Sequence, residues 1–131
     1  VKIMVTGSRH WGDKLAVWSA LQAAIGPDLP GARLYVGDCP SGADEIAASW
    51  WRENMTDNNL HVIRSQGLKA YQMLARNQLL VDHMPDIVLG FVLYGEGVSR
   101  GTNDALNRAR EAGLWLVVQE RPAPAELCGR P

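Results

Sequence analysis

The chain has 131 residues, 47 % of them apolar and 21 % charged, a composition that folds around a core and excludes a disordered tail or a linker. Thirteen basic residues against fourteen acidic ones leave a net charge of −1, which argues against a protein whose main partner is a nucleic-acid backbone. Cys39 and Cys128 have no CxxC spacing and His10, His61 and His83 form no ligand pattern, so neither a metal site nor a disulfide framework is legible. No cofactor is called for, and the expected compartment is reducing and cytoplasmic. No apolar run reaches the roughly 18 residues of a membrane span, and Val1 to Val5 reads as a strand instead of a leader.

In chain order, Val1 to Thr6 is a β-rich apolar run ending at Gly7, and Asp13 to Ile25 carries Leu15, Trp18, Leu21 and Ile25 at helical spacing. The unit then repeats. Arg33 to Val36 is a second strand closed by Gly37, and the helix after Ser41 places Ala43, Ile46, Ala47, Trp50 and Asn54 on one side. His61 to Arg64 is a third strand and Leu68 to His83 a third helix, with Met73, Leu74, Leu80 and Val81 as its apolar contacts and Pro85 as its stop. Asp86 to Tyr94 is the most continuous apolar run, the pattern of an internal parallel strand covered on both faces. A fourth helix, Thr102 to Gly113, buries Ala105, Leu106, Ala109 and Ala112, and Leu114 to Val118 is a fifth strand. Residues 1–121 thus form one domain, and 122–131, rich in proline, an irregular tail.

Five strands alternating with four helices predict an α/β sandwich: a single Rossmann-like domain with a parallel sheet in the order 3-2-1-4-5 and helices on both faces. Ligands of such sheets bind outside the carboxyl ends of the strands, where the winding reverses, so the loops following the strands carry the chemistry.

The first loop, Thr6 to Asp13, has an anion-binding composition. Gly7 permits close backbone approach, Ser8 and nearby amides can donate, and Arg9 offers a planar fork. The competing reading makes Gly7 and Gly12 turn residues, with Asp13 the helix cap. A Walker motif is excluded, because Asp13-Lys14-Leu15 stands where Lys and a hydroxyl residue are required. In the second loop, Gly37 to Asp44, small residues leave a helix N-terminus open to a phosphate, and Asp38 or Asp44 can accept from ribose hydroxyls or a base. The structural alternative has Ser41 capping the helix, Asp44 complementing its dipole and Gly42 permitting close packing. Cys39 is a nucleophile only if a partner base is at hand, and none is evident. Arg76-Asn77 is a polar pair within an apolar helix, either aimed into the crevice or solvated. Gly95 to Thr102 is glycine-rich but one residue too long for GxGxxG; Gly101 and Thr102 remain phosphate contacts, with Thr102 the natural cap. Trp50 and Trp51 cannot both face the core of a straight helix, and the exposed one offers a surface for a homo-oligomer.

Taken together, Gly7-Ser8-Arg9 with Trp11 and Asp13, Gly37-Asp38 with Ser41-Gly42-Ala43-Asp44, Arg76-Asn77 and Gly101-Thr102 resemble the SLOG superfamily. The nearest branch is its small YspA/YpsA-like group, and the likeness covers most of residues 1–119. Its specificity lies in four motifs in order at successive loops or helices. The resemblance implies a Rossmann-like fold that binds nucleotides or nucleotide-derived ligands, with these positions lining the pocket. Related families are the DprA single-strand DNA loaders and the lonely-guy phosphoribohydrolases. The lonely-guy enzymes have a Pro-Gly-Gly-x-Gly-Thr loop and a downstream catalytic Glu, whereas this chain has Gly97 to Thr102 and Ala105 where that Glu falls. Asp38, Asp44, Glu96 and Asp104 are the candidate substitutes.

The expected function is to hold a nucleotide or ribose-phosphate derivative, as a sensor or a sequestering protein. Gly7, Ser8, Arg9, Ser41, Gly42, Gly101 and Thr102 are the expected anion contacts, and Asp44 the polar specificity contact. The enzymatic alternative is a nucleotide or nucleoside-phosphate hydrolase in which Asp44 or Asp38 activates water. DprA-like binding of single-stranded nucleic acid is disfavoured by the charge balance, and no membrane partner is expected.

Overall fold

The computed structural model describes residues 1–65, 70–95 and 99–124. Its strands are β1 (Lys2–Gly7), β2 (Arg33–Gly37), β3 (Leu60–Ile63), β4 (Ile87–Tyr94) and β5 (Leu116–Pro122). The helices are α1 (Lys14–Ile25), α2 (Gly42–Asn54), α3 (Ala70–Asp82) and α4 (Arg100–Glu111), with a short 3₁₀ turn at Asp57–Asn59. All strand pairs are parallel and the order is β3-β2-β1-β4-β5, the predicted doubly wound α/β architecture.

Side chains on a strand alternate between faces, and the sheet divides its apolar residues accordingly. Ile3, Val5, Leu34, Val36, Leu89 and Phe91 form one core with Val17, Leu21 and Ile25 of α1 and Ala43, Ala47 and Trp51 of α2. Met4, Tyr35, Val88 and Val92 form the other with Leu80 and Val81 of α3 and Ala105, Leu106 and Ala109 of α4. The division follows from handedness. Right-handed crossovers run one way from β1 to β3 and the other way from β3 to β5, so α1 and α2 cover one face and α3 and α4 the other. The reversal lies between β1 and β4.

Several local expectations are corrected. Leu15 is 68 % exposed and Trp18 also reaches solvent, because Val17, Leu21 and Ile25 make the contact stripe of α1. On α2 it is Trp51 that is fully buried, while Trp50 is only half-buried. Leu74 is exposed; the side chain of Met73 and the expected first residues of the third helix, 68–69, lie outside the described residues. Ala112 is exposed, since α4 ends one residue earlier. β5 begins two residues later than expected and runs on to Pro122, paired with β4 as far as Tyr94. Residues 125–131, with Cys128, lie outside the described residues. No helix among the described residues is long and apolar enough to cross a membrane.

Candidate functional site

The β1–α1 loop is fastened before any ligand is considered. The Ser8 amide donates to the Phe91 carbonyl of β4 at 2.9 Å, and the Ser8 carbonyl accepts from the amides of Trp11 at 3.1 Å and Ala43 at 3.2 Å. The Ser8 hydroxyl accepts from the His10 amide at 3.2 Å. Trp11 packs edge-on against Phe91 with ring centroids 5.3 Å apart, and its indole N–H donates to the Asp13 carbonyl at 2.9 Å. Asp13 caps α1, accepting from the Ala16 amide at 3.1 Å. The Arg9 carbonyl accepts from the Ser41 hydroxyl at 3.0 Å, which leaves the Arg9 side chain exposed above the sheet.

Ser41 and Gly42 therefore work as staples. Ser41 makes no side-chain cap on α2. Gly42, at φ +75°, lies so close to the first loop that a Cβ would run into the Ser8 carbonyl and the Arg9 Cα and C. The Ala43 amide at the start of α2 is spent on Ser8, and Asp44 and Glu45 stand in the same turn. The α2 N-terminus, read from the sequence as the phosphate cradle, is already occupied by the first loop.

The opposite holds for α4. Its N-cap is Ser99, at φ +60°, whose hydroxyl accepts from the Leu93 amide at 3.2 Å instead of capping the helix. Asn103 makes the first intrahelical bond, to the Ser99 carbonyl at 2.9 Å, so the amides of Arg100, Gly101 and Thr102 point out of the helix without an intrahelical acceptor. No acidic residue stands in that turn. Thr102, expected as the cap, lies inside the first turn and is buried. Asn77 of α3 holds this turn in place. Its amide nitrogen donates to the Gly101 carbonyl at 3.1 Å and to Asp104 Oδ2 at 3.0 Å, and Arg108 Nε closes the network on Asp104 at 2.8 Å.

Charge beneath the crevice is arranged around Arg76. Gly37 lets its side chain lie across the end of β2, because a Cβ there would fall 2.8 Å from Arg76 Cζ and 2.9 Å from Asp44 Oδ2. Arg76 Nη1 stands 3.4 Å from Asp38 Oδ1 and Nη2 donates to Asn77 Oδ1 at 3.2 Å; among the described residues its buried Nε meets no acceptor. Asp38 also accepts from the Ser65 hydroxyl at 2.7 Å and the Ser65 amide at 2.9 Å. Burial on its own would raise the Asp38 carboxyl, but the Ser65 bonds, its own amide and the Arg76 charge hold it below the usual carboxylate range. Asp44 has the reverse balance. Burial pushes it up to about 7, with Arg76 and the Cys39 amide pulling down and the Asp38 charge adding to the rise.

Between the two fastened loops, at the β1/β4 reversal, lies a crevice of about 430 Å³, within the roughly 300–1,000 Å³ of small-molecule sites. Its walls are Thr6 to His10 at the end of β1, Cys39 from the β2–α2 connection, Asp44 from the first turn of α2, Arg76 and Asn77 from α3, and Ser99 to Thr102 at the start of α4. Of the eleven binding residues named from sequence, eight line it; Asp38, Ser41 and Gly42 stand behind it and support it. Thr6, His10, Cys39, Ser99 and Arg100 line it without having been named as binding residues. A usable signal existed for Arg100, a cation beside the Gly101-Thr102 turn. Among the candidate substitutes for the lonely-guy carboxylate, Asp38 and Asp104 are tied up in ion pairs and Glu96 lies outside the described residues. Asp44 alone of the four faces the crevice among the described residues.

Fold and site together define a Rossmann-like α/β domain with a cation-rimmed crevice at its switch point. The chain belongs to the YspA, cpYpsA-related SLOG family, whose model matches residues 1–64, the stretch from β1 through β3 that carries the first two loops. It is also 30 % identical over 121 residues to the Gene 61 protein of Mycobacterium phage D29, an alignment covering 88 % of this chain and 94 % of the phage protein. That relationship extends to the part of the chain that bears Arg76, Asn77 and α4. No solved structure matches the chain significantly.

Proposed function

We propose that the crevice binds a nucleotide or nucleotide-derived ligand through its phosphate, and that the protein acts as a sensor or sequestering protein for it. The observation that carries this reading is the unspent first turn of α4. Three amides there have no intrahelical acceptor, with Arg9 and Arg100 on the same rim, in a chain whose net charge is −1. A helix N-terminus with its dipole unopposed and two guanidinium groups beside it favours a phosphate. The remaining volume suits a sugar and part of a base, and Asn77 and Asp44 supply polar contacts on the inner wall.

The test is native mass spectrometry of the purified protein followed by a thermal-shift screen over nucleotides. A ligand at 100 times its Kd stabilises by about 2.7 kcal/mol. Arg9→Ala is expected to remove most of that shift. Gly101→Ala separates binding from folding: nothing lies within 4 Å of the added methyl, so the free protein keeps its stability or gains up to about 1 kcal/mol from the better helix former. The methyl then occupies the space a phosphate needs, and the ligand-induced shift is expected to fall sharply. No shift with any nucleotide, or a shift untouched by both substitutions, would overturn the reading.

The hydrolase reading is favoured by one observation, the presence of Asp44 in the wall of the crevice. It requires release of free base or phosphate from nucleoside monophosphates, abolished by Asp44→Asn.

A further inference from the structure

Among the described residues Asp44, unlike Asp38 and Asp104, has no cation within ion-pair distance. It sits in the first turn of α2, 7 % exposed, and lines the crevice. Four elements bring charged or titratable groups towards it. Arg76 comes from α3, Asp38 and Cys39 from the β2–α2 connection, Arg9 and His10 from the β1–α1 loop, and Arg100 from the start of α4. Arg76 is the least exposed cation among these, and it is shared. Its Nη1 reaches Asp38, which also takes both donors of Ser65. Two carboxylates around one guanidinium leave one negative charge in excess, and the better-bonded Asp38 keeps its charge. Asp44 is the one that burial pushes towards its neutral form.

We propose that the crevice takes up its anionic ligand together with a proton, and that Asp44, as a carboxylic acid, is the residue that carries it and makes the site selective for phosphate esters over neutral ligands only while it is protonated. The inference rests on the reading of the crevice as an anion site. Its physical content is electrostatic. An ionised Asp44 repels a phosphate placed against the neighbouring wall, whereas a neutral one leaves Arg76 and the α4 amides to act unopposed and offers a hydrogen-bond donor. The position of the Asp44 carboxyl, up to about 7 before any ligand arrives, places the change near neutrality. An adjacent anion raises it further, and by reciprocity the protonated protein binds the anion more tightly by the same factor.

The test uses the full chain and inorganic sulfate, whose charge does not vary near neutral pH. The Asp44 carboxyl is followed by carbon-13 NMR, assigned with Asp44→Asn. The expected result is titration near neutrality in the free protein, a rise of about one pH unit or more with saturating sulfate, and a sulfate affinity that falls by the matching factor, about tenfold or more in total, as pH rises from about 7 to the raised bound-state value and levels off above it. In Asp44→Asn the affinity should be flat over the same range. Titration of Asp44 in the ordinary carboxylate range overturns the proposal, as does an equal pH slope in the Asn variant. If nucleotides bind with pH-independent affinity, the proton coupling fails while the anion site stands; if neither sulfate nor any nucleotide binds at any pH, both fall.

Discussion

Gly42→Ala is expected to destabilise the protein by about 3 kcal/mol and to abolish ligand-induced stabilisation. Two costs combine. At φ +75° a residue with a Cβ is strained by about 1 kcal/mol or more, and the methyl is driven into the Ser8 carbonyl and the Arg9 backbone, rigid atoms that cannot swing aside as a side-chain tip does. Overpacking of that kind costs roughly 1–3 kcal/mol. The loop that would have to move is the one carrying Ser8 and Arg9 into the crevice, so stability and binding fail together. Urea unfolding should show a lower midpoint at an unchanged slope. Gly101→Ala, at an unencumbered helical glycine, shows no such loss.

Asp44→Asn is expected to stabilise the protein at pH 8 by roughly 2–4 kcal/mol and to lose most of that advantage by pH 5, the gap between 3.8 and about 7 setting the scale at 1.36 kcal/mol per unit. The sign follows from proton counting. Above about 7 the carboxyl is ionised in both folded and unfolded chains and the full burial penalty is felt. Between about 7 and about 4 the folded protein binds a proton that the unfolded chain does not, so wild-type stability rises as pH falls. The asparagine of the variant stays neutral throughout. Two other groups work in the opposite direction. Asp38 lies below its ordinary value, and its contribution is lost as pH falls through that lowered value. His61 is held below 6.5 by burial, with the charges of Arg33 and His83 adding to it, so its contribution fades as pH falls below about 6.5. Both are common to wild type and variant and cancel in the difference between the two denaturation profiles. Arg76→Met is expected to cost about 1–3 kcal/mol, the size of a lost hydrogen bond to a charged group, since its pair with Asp38 is partly exposed and 3.4 Å long, and to cost more at pH 8 than at pH 5, because only at the higher pH are both carboxylates left ionised.

How far the site was legible depended on whether a residue acts through its own backbone or through a neighbour. Gly7-Ser8-Arg9 at the end of β1 and Gly101-Thr102 at the start of α4 were readable as crevice-lining positions, because a glycine beside a donor at a strand end or a helix start has a local meaning. Ser41 and Gly42 have the same local composition, yet their partner is the Ser8–Arg9 backbone some thirty residues earlier, and no spacing rule connects the two. Asp44 reads from the sequence as a polar specificity contact or as a complement to the α2 dipole, and neither reading predicts that it is buried. Its burial arises from the close seating of α2 on the end of β1, where a Cβ on Gly7 would collide with that of Ala43.

By itself the sequence determined the strand–helix alternation, the parallel sheet with its order and the end of the sheet at which the crevice lies, because apolar periodicity and crossover handedness are local properties that leave few topologies open. Only the tertiary structure decided which helix N-terminus is spent on the protein's own backbone and which, among the described residues, stays open, and which of two carboxylates pairs with the Arg76 guanidinium. Those outcomes depend on distances between segments far apart in the chain, and hydrogen bonds and charges compete there over fractions of an ångström.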